Sequence, residues 1–518
     1  MSPIGVVVKS PSIYYYIFKP FRRVDVGTFV STDVDGTKVL SRVVAVRYKN
    51  AAADPRLLAQ FDESNIEEIK AVLGIEESLY YTEAKALVLG ARRGRKIYRP
   101  QKPVKPLTYV YMATEVELEE FFAPPEEGIA IGKIRGTEIP AKIDAERLVT
   151  HHCLILASTG AGKSWLAGVL VERLSLLEIP IIVLDPHGEY SAMSIPTAGE
   201  GERVAEKVRI YVVGKVDTEP IDQAFRQRYG KSRSYVRVGI NPRSLPLRTL
   251  EKILDATYGL TDAQRRVLEE GWQHATGYGE RQPLTSIEEL VREVVEGGRH
   301  AAPPGFAGEM TVRGLEGRLK ALFYGSRVFI TKYGETYLGE PLRLIDPPTC
   351  LSPSIHIFDV SGLEDLDQQI FVAVLLDQLY RAATRRRDTA AFIVIEEAHN
   401  FAPASPHSVS RPYVAKIARE GRKFGLGLCL ITQRPTKLDQ DVASQAMTQI
   451  FKRMINPTDL RYVSAVAEHL EDVRILKTLD ETEAVVTGLA APLPLFITVE
   501  SRWTNHGGVT PRLRKEAI

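Results

Sequence analysis

The sequence predicts an α/β protein built on a mainly parallel sheet, with a small β-barrel in front of it and a helical bundle inserted into it. Three observations carry that expectation. Residues 1–140 hold short β-rich runs separated by turn residues. Further on, apolar runs end in Asp185, Asp359 and Glu396, the look of strands buried on both faces with polar C-terminal ends. Between these regions, residues 153–166 read CLILASTGAGKSWL, a short apolar strand, a glycine-rich turn and the start of a helix. A chain of 518 residues is too long for one core. It divides into a barrel (1–140), two parts of an α/β core (141–246 and 326–500), a helical bundle between them (247–325) and a tail (501–518).

In the first segment the β-rich runs are 6–8, 13–18, 27–31, 39–48, 86–89 and 109–112, with Asp35-Gly36 as a turn signal. A helix at about 65–73 interrupts them, and a prolyl, basic stretch covers 92–106. In the insertion, Leu250, Ile253, Leu254 and Tyr258 recur at helical spacing. Thr285 and Glu288 form a capping-box pattern ahead of Ile287, Leu290, Val291 and Val294. Gly259 and Pro303-Pro304-Gly305 punctuate the bundle. A last strand at 495–500 leads into a tail carrying His506-Gly507-Gly508.

Bulk composition narrows the class. Charged residues are 25% and apolar ones 44%, an ordinary soluble profile, and no apolar run approaches the ~18 residues of a membrane span. No secretory leader is visible, and three scattered cysteines argue for a reducing, cytoplasmic setting. Net charge is only +2, so a polyanion would be held by local patches rather than by the global field.

The turn Ser158-Thr159-Gly160-Ala161-Gly162-Lys163-Ser164 is a phosphate-binding loop in its required context. Its glycines let backbone N–H groups converge on phosphate oxygens at a helix N-terminus. Lys163 then reaches the β and γ phosphates of ATP, and Ser164 ligates Mg²⁺. Ala157 replaces the usual first glycine, which matters only if its φ is positive. Trp165, Leu166, Val169, Leu170, Leu174 and Leu177 form the apolar side of the following helix. Paired carboxylates end the strand at 392–395: Glu396 is assigned to the metal and Glu397 to the attacking water. Gln433 ends another core strand and suits a γ-phosphate sensor. Arg422, in the cluster Arg419-Glu420-Gly421-Arg422-Lys423-Phe424-Gly425, is either a cation at a helix end capped by Gly425 or an arginine finger. Arg385-Arg386-Arg387 reads as an ordinary helix end.

Four motifs in order sharpen this: Leu184-Asp185-Pro186-His187-Gly188-Glu189-Tyr190, Ile395-Glu396-Glu397-Ala398-His399-Asn400-Phe401, Gly421-Arg422-Lys423-Phe424-Gly425 and Ile431-Thr432-Gln433-Arg434-Pro435. Together they resemble the HerA family of archaeal DNA translocases, in the HerA/FtsK branch of RecA-like motors, over nearly the whole chain. The resemblance implies a RecA-like core behind a HAS-type barrel and a homohexameric ring that hydrolyses ATP with Mg²⁺ to move double-stranded DNA. It also implies work with a NurA-type nuclease, alongside an Mre11-type repair complex, in resecting broken ends, and no membrane. On this resemblance Arg422 is a finger acting in trans, Gln433 the sensor and Glu397 the catalytic carboxylate. Asp185, Glu189 and the loop through Trp165 and Leu166 line the nucleotide. Gly507 and Gly508 belong to a tail that crosses to a neighbour's site. Family members often carry Arg-His before the loop strand; here His151-His152 stand there, and His151 takes the nucleotide-contact position. Candidate channel cations are Lys215, Arg226, Arg228, Lys231, Arg233 and Arg411. A DNA clamp without translocation and a rotary-ATPase-like subunit are the alternatives.

Overall fold

The computed structural model describes residues 2–50, 80–93, 96–98, 100–122, 128–276, 286–301, 308–332, 334–338, 340–344, 347–385, 390–405, 408–467, 470, 472–491 and 493–508. The expected helix at 65–73, Thr285, Pro303-Pro304-Gly305, Arg386, Arg387, part of the 92–106 stretch and the end of the tail lie outside the described residues. The chain forms two compact units, Met1–Gly128 with Gly132–Lys142, and Ile129–Ile131 with Ile143–Ile518.

Strands β1 (Gly5–Lys9), β2 (Tyr15–Pro20), β3 (Phe29–Val34), β4 (Thr37–Asn50), β5 (Tyr80–Arg93), β6 (Lys96–Tyr98) and β7 (Tyr109–Met112) make up the first sheet. Its order is β2-β1-β7-β3-β4-β5-β6, and a further β2–β5 pairing closes six of the strands into a barrel. Alternation turns Tyr16 and Phe18 of β2 inward, against Val7, Val30, Val39, Val43, Ala84 and Ala86. Irregular register between Val43 and Ala45 bends the long β4, as closure requires. Helix α1 (Glu115–Phe121) starts at a reciprocal Thr114–Glu117 capping box.

The hairpin of β8 (Gly128–Ile134) and β9 (Pro140–Asp144) carries the chain into the second unit, followed by α2 (Ala145–Thr150). The strands after it are β10 (Cys153–Leu156), β11 (Ile181–Asp185), β12 (Val208–Val213), β13 (Val236–Gly239), β14 (Thr336–Tyr337), β15 (Glu340–Pro341), β16 (Arg343–Leu344), β17 (Ile355–Asp359), β18 (Ala391–Ile395), β19 (Leu426–Thr432), β20 (Thr448–Phe451), β21 (Glu483–Gly488) and β22 (Leu495–Val499). One thirteen-stranded sheet runs β16-β13-β12-β17-β11-β18-β19-β10-β20-β21-β22-β8-β9. From β16 through β20 every pairing is parallel; β21 and β22 turn antiparallel. A parallel array brings all its strand C-termini out at one edge. The loop after β10, Asp185, Asp359, Glu396 and Gln433 therefore share an edge although up to 275 residues of chain separate them.

Helix α3 (Lys163–Ser175) is buried nearly all round, including Glu172 and Arg173. Its expected apolar stripe is corrected at both ends: Trp165 is 38% and Leu177 44% exposed. After α4 (Glu219–Tyr229), the insertion supplies α5 (Leu247–Tyr258), α6 (Asp262–Thr276), α7 (Ile287–Ala301) and α8 (Glu309–Gly325). Leu250, Ile253 and Leu254 are fully buried as their spacing predicts, whereas Tyr258 faces out. The start of α7 is held by Ser286, whose Oγ accepts from the Glu289 N–H at 3.2 Å. These helices share one hydrophobic core with the sheet rather than enclosing their own, so the bundle belongs to the second unit. Helices α9 (Asp365–Arg385) and α10 (Arg411–Glu420) complete the packing used below. No helix among the described residues is long and apolar enough to cross a membrane.

Candidate nucleotide-binding site

Strand β10 lies between β19 and β20, with Leu156 level with Thr432 and Phe451, so the loop after it opens beside the ends of both neighbours. Gly160 and Gly162 take left-handed φ of 75° and 79°. Nothing lies within 4 Å of where a Gly160 side chain would start, whereas Gly162 is pressed against the Glu481 carbonyl and Lys452 Cε. Ala157 is absent from the residues with positive φ, so the missing first glycine introduces no strain. The Ser158 N–H donates to the Arg453 carbonyl at 3.0 Å and the Ala161 N–H to the Ser158 carbonyl at 3.1 Å, fixing the loop. The first-turn N–H groups of α3 have no acceptor within the helix. Ser164 is buried against this turn.

Lys163 Nζ sits 2.9 Å from Glu397 Oε1 and 3.5 Å from Glu396 Oε2. Burial alone would lower the Lys163 pKa, but the charges of Glu396 and Glu397 outweigh it and hold it above its ordinary value. Glu397 moves the other way. Burial opposes its charge, yet His187, Lys163 and His399 together hold the carboxyl down at about 2. His187 Nε2 is 3.9 Å away, too far for a hydrogen bond, and acts through its charge. Contact with Glu397 in turn raises the His187 pKa. Glu397 adopts a left-handed φ of 46°, a strained conformation that turns its side chain toward the loop. Its Oε2 is buried and makes no hydrogen bond, although His399 Nδ1 stands 3.3 Å off. Glu396 accepts the Tyr190 hydroxyl at 2.9 Å. Thr159 Oγ1 donates to Gln433 Oε1, bringing the expected sensor onto the loop.

Comparisons with known proteins agree with this geometry. Residues 129–379 match the model of the central domain of helicase HerA, and residues 4–94 that of the HAS barrel domain. The "DNA double-strand break repair helicase HerA" of Pyrococcus furiosus is 27% identical, with 96% of this chain and 92% of that one covered. That of Sulfurisphaera tokodaii is 25% identical, covering 99% and 96%. The chain carries a HerA-type central domain behind a HAS barrel and resembles the HerA helicases over nearly its whole length. Among solved structures, VirB4 of Thermoanaerobacter pseudethanolicus is similar in fold, with a TM-score of 0.50 at 18% identity over 73% of this chain and 97% of that one. With this loop and these relatives, the chain is a nucleotide-binding P-loop ATPase.

Not every expected HerA residue reaches the loop. Asp185 is buried, with Oδ1 taken by the His187 N–H at 3.2 Å and Oδ2 by the Tyr190 N–H at 2.8 Å. Both oxygens are thus engaged in folding the 185–190 turn, a role the sequence reading did not give it. Burial, with the charge of Asp359 beside it, pushes its pKa up to about 7. Glu189, on that turn, receives the Gly507 N–H on its carbonyl at 3.1 Å. Leu166 is a core side chain, and its N–H bonds back to Gly162 at 3.2 Å. Trp165 lies edge-on to His506, and its Nε1 donates to the Glu500 carbonyl at 3.2 Å.

Arg422 and His151 lie at the opposite edge of the sheet. Arg422 precedes β19, which runs seven residues to Thr432 beside the loop, roughly 20 Å of strand. It is exposed and makes no ion pair among the described residues. His151 ends α2 with Nδ1 2.8 Å from Thr150 Oγ1; burial, then the nearby Arg422 charge, lowers its pKa. Neither residue can reach the loop of its own chain.

As far as Gly508 the tail packs on its own chain. Glu172 of α3 gathers Arg502 Nε, the Trp503 and Thr504 N–H groups and Thr504 Oγ1. Arg228 and Tyr229 then bind the Gly507 and His506 carbonyls at 3.0 Å each. Gly507 and Gly508 thus sit beside Glu189 of the same subunit. The expected channel cations are also redistributed. Arg233 is buried between Asp222 and Asp359, Lys215 pairs with Glu335 at 2.9 Å, Arg226 with Glu219 at 2.6 Å, and Arg411 with Asp439. Lys231 remains exposed without an ion pair among the described residues.

Sequence reasoning missed Lys452, Tyr190 and Glu172. Lys452 is fully buried behind Gly162, with Nζ donating to the Glu481 carbonyl at 2.8 Å, and burial lowers its pKa to about 8. Nothing along the chain marks it. Glu172 did leave a signal: a charge inside a helix whose other faces are all apolar needs a buried partner.

Proposed function

We propose that this chain is an ATP-driven motor on double-stranded DNA, working as a homohexameric ring with a NurA-type nuclease, alongside an Mre11-type complex, in the resection of broken ends. One observation supports the ring above others. The site at the loop has its lysine, carboxylates and sensor from one chain, while Arg422, exposed and without an ion pair among the described residues, stands at the far edge of the same sheet. Such a cation serves a neighbour's phosphates, and identical head-to-tail contacts of this kind close into a ring. His151 shares that edge and would face the same neighbour.

Lys163 binds the β and γ phosphates, which compete with Glu397 for it and leave that carboxylate to polarise the attacking water. Held ionised by its basic neighbours, Glu397 keeps an acceptor available at neutral pH. Gln433 reports the γ phosphate through Thr159. Glu396, steadied by Tyr190, and Ser164 are the residues that would hold Mg²⁺, which supplies Lewis-acid charge to phosphate oxygens. The donor set fits that ion: a carboxylate and a hydroxyl are both oxygen donors, and Mg²⁺ takes few protein ligands, keeping waters and phosphates. DNA enters from the relatives, which are named as DNA double-strand break repair helicases. Lys231 and Arg228, both exposed, are the expected channel cations best placed to meet its phosphates.

The test is ATPase activity of size-fractionated protein with and without linear duplex DNA. Hydrolysis should reside in a ring-sized fraction, rise with DNA, and lose that stimulation as salt rises. Arg422→Ala should bind ATP normally and lose about 10³-fold or more in turnover. A monomer hydrolysing at full rate, or an Arg422→Ala protein of unchanged turnover, would rule the ring-shared site out.

A further inference from the structure

We infer that His152 is the positioning residue for Arg422, its imidazole clamping the two ends of the turn that carries the finger. The inference rests on the reading of Arg422 as a finger acting in trans. Helix α10 ends at Glu420, a tight turn covers Gly421–Phe424, and β19 begins at Leu426. His152 reaches both sides of this turn. Its Nε2 is 3.0 Å from the Ala418 carbonyl, and its Nδ1 receives the Leu428 N–H at 2.9 Å. The first anchor stands four residues before Arg422 and the second six after it.

These two contacts fix the chemistry of the ring. A backbone N–H can donate only to a bare nitrogen, so Nδ1 carries no proton; a carbonyl only accepts, so Nε2 carries one. The imidazole is neutral and in a single tautomer. It is 4% exposed, and burial holds its pKa down at about 4, so the clamp stays set at neutral pH.

The clamp is itself anchored. His152 adopts a left-handed φ of 59°, a conformation a non-glycine residue keeps only when its surroundings impose it. Its carbonyl accepts the Thr448 N–H at 3.3 Å, tying it to the start of β20. Beside it the Val149 carbonyl presses on Gly427, where a β-carbon would come within 1.6 Å. On the other flank Tyr380 donates to Glu420 Oε2 at 2.6 Å and packs edge-on against Phe424. Among the described residues Arg422 has no side-chain ion partner, so its backbone is what aims it. A finger works where its guanidinium is held in place, and a misplacement of about 1 Å can cost a factor of ~10².

The experiment compares full-length His152→Phe, which keeps the bulk and removes both bonds, with His152→Gln, which keeps a donor for the Ala418 carbonyl. Steady-state ATPase gives kcat and KM, and a fluorescent ATP analogue gives nucleotide affinity. His152→Phe should lower kcat at least tenfold with KM and affinity within twofold, and His152→Gln should recover part of that loss. Combined with Arg422→Ala, His152→Phe should cost nothing more than Arg422→Ala alone, because it acts only through the finger. A folded His152→Phe protein with kcat within twofold of the parent overturns the inference. So does a change in nucleotide affinity, or a double variant slowed by the product of the two separate factors. If His152→Phe does not fold, His152→Gln is held to the same criteria, including the double variant. If Arg422→Ala itself turns over normally, the finger reading falls first and the inference with it; if Arg422→Ala is inactive and His152→Phe is not, only the inference falls.

Discussion

Lys163 and Glu397 neutralise each other in a site where neither could stand buried alone. An unpaired buried charge costs several kcal/mol, so removing one partner affects the other as well as the chemistry. Lys163→Ala therefore takes away the phosphate contact and also leaves Glu397 with only His187 and His399 nearby. Turnover should vanish. Glu397→Gln is the more informative change, because the amide keeps the shape and can still accept from Lys163. ATP should bind at near-parent affinity while hydrolysis falls by about 10²-fold or more. Equilibrium binding and single-turnover hydrolysis on the same preparation check this. Loss of binding with Glu397→Gln would mean that Glu396 and Glu397 have exchanged roles.

At the scale of elements, the loop helix α3 is fastened to the last described stretch of chain through one carboxylate. Glu172 is fully buried, and its desolvation is offset by Arg502 at 3.2 Å, Arg173 at 3.1 Å, two backbone N–H groups and the Thr504 hydroxyl. Glu172→Ala leaves the buried Arg502 without its carboxylate and strands those donors, a loss of about 3–5 kcal/mol. The expected outcome is release of 501–508 from α3. Hydrogen exchange at the Trp503, Thr504 and Asn505 amides should rise sharply, while exchange in the barrel strands β1–β5 stays as it was. Unchanged protection at those three amides would show that the tail is held by something other than Glu172.

For the whole molecule, acid is the sensitive direction. Burial, as the leading cause, holds His152, His356 and His506 each at about 4, against 6.5 when exposed. Between those values the unfolded chain takes up to three protons that the folded one refuses, so stability is lost as pH falls through that window. Asp185 opposes this: raised to about 7, it takes one proton in the fold before it would in the open chain. Three against one leaves about two protons, or roughly 3 kcal/mol per pH unit at the steepest. Below about 4.5 the depressed Glu397 adds to the loss. Urea unfolding followed by the fluorescence of Trp165, Trp272 and Trp503, all in the second unit, should show midpoints falling from pH 7 to pH 5. Midpoints that hold steady or rise over that range would mean that these histidines are not buried neutral.

The amino-acid order alone determined the barrel, the parallel sheet and most of the loop chemistry, because each rests on short-range pattern. Alternation makes the barrel strands, continuous apolar runs make the buried ones, and Gly160-Ala161-Gly162-Lys163-Ser164 needs only its own strand and helix. The carboxylates of Glu396 and Glu397 were legible for the same reason: a buried parallel strand must end somewhere polar. What the tertiary structure decided is which charges are buried and with whom. Arg233 looked like a channel cation until Asp359, 126 residues away, closed on it. Lys452 carries no mark in the sequence, and Asp185, expected at the nucleotide, builds the 185–190 turn. The position of Arg422, too, was decided in three dimensions. A helix-end cation and a finger share one sequence pattern, and only the sheet's direction puts this one at the edge away from Lys163. Burial depends on what the rest of the chain brings to a residue, and no local spacing records that.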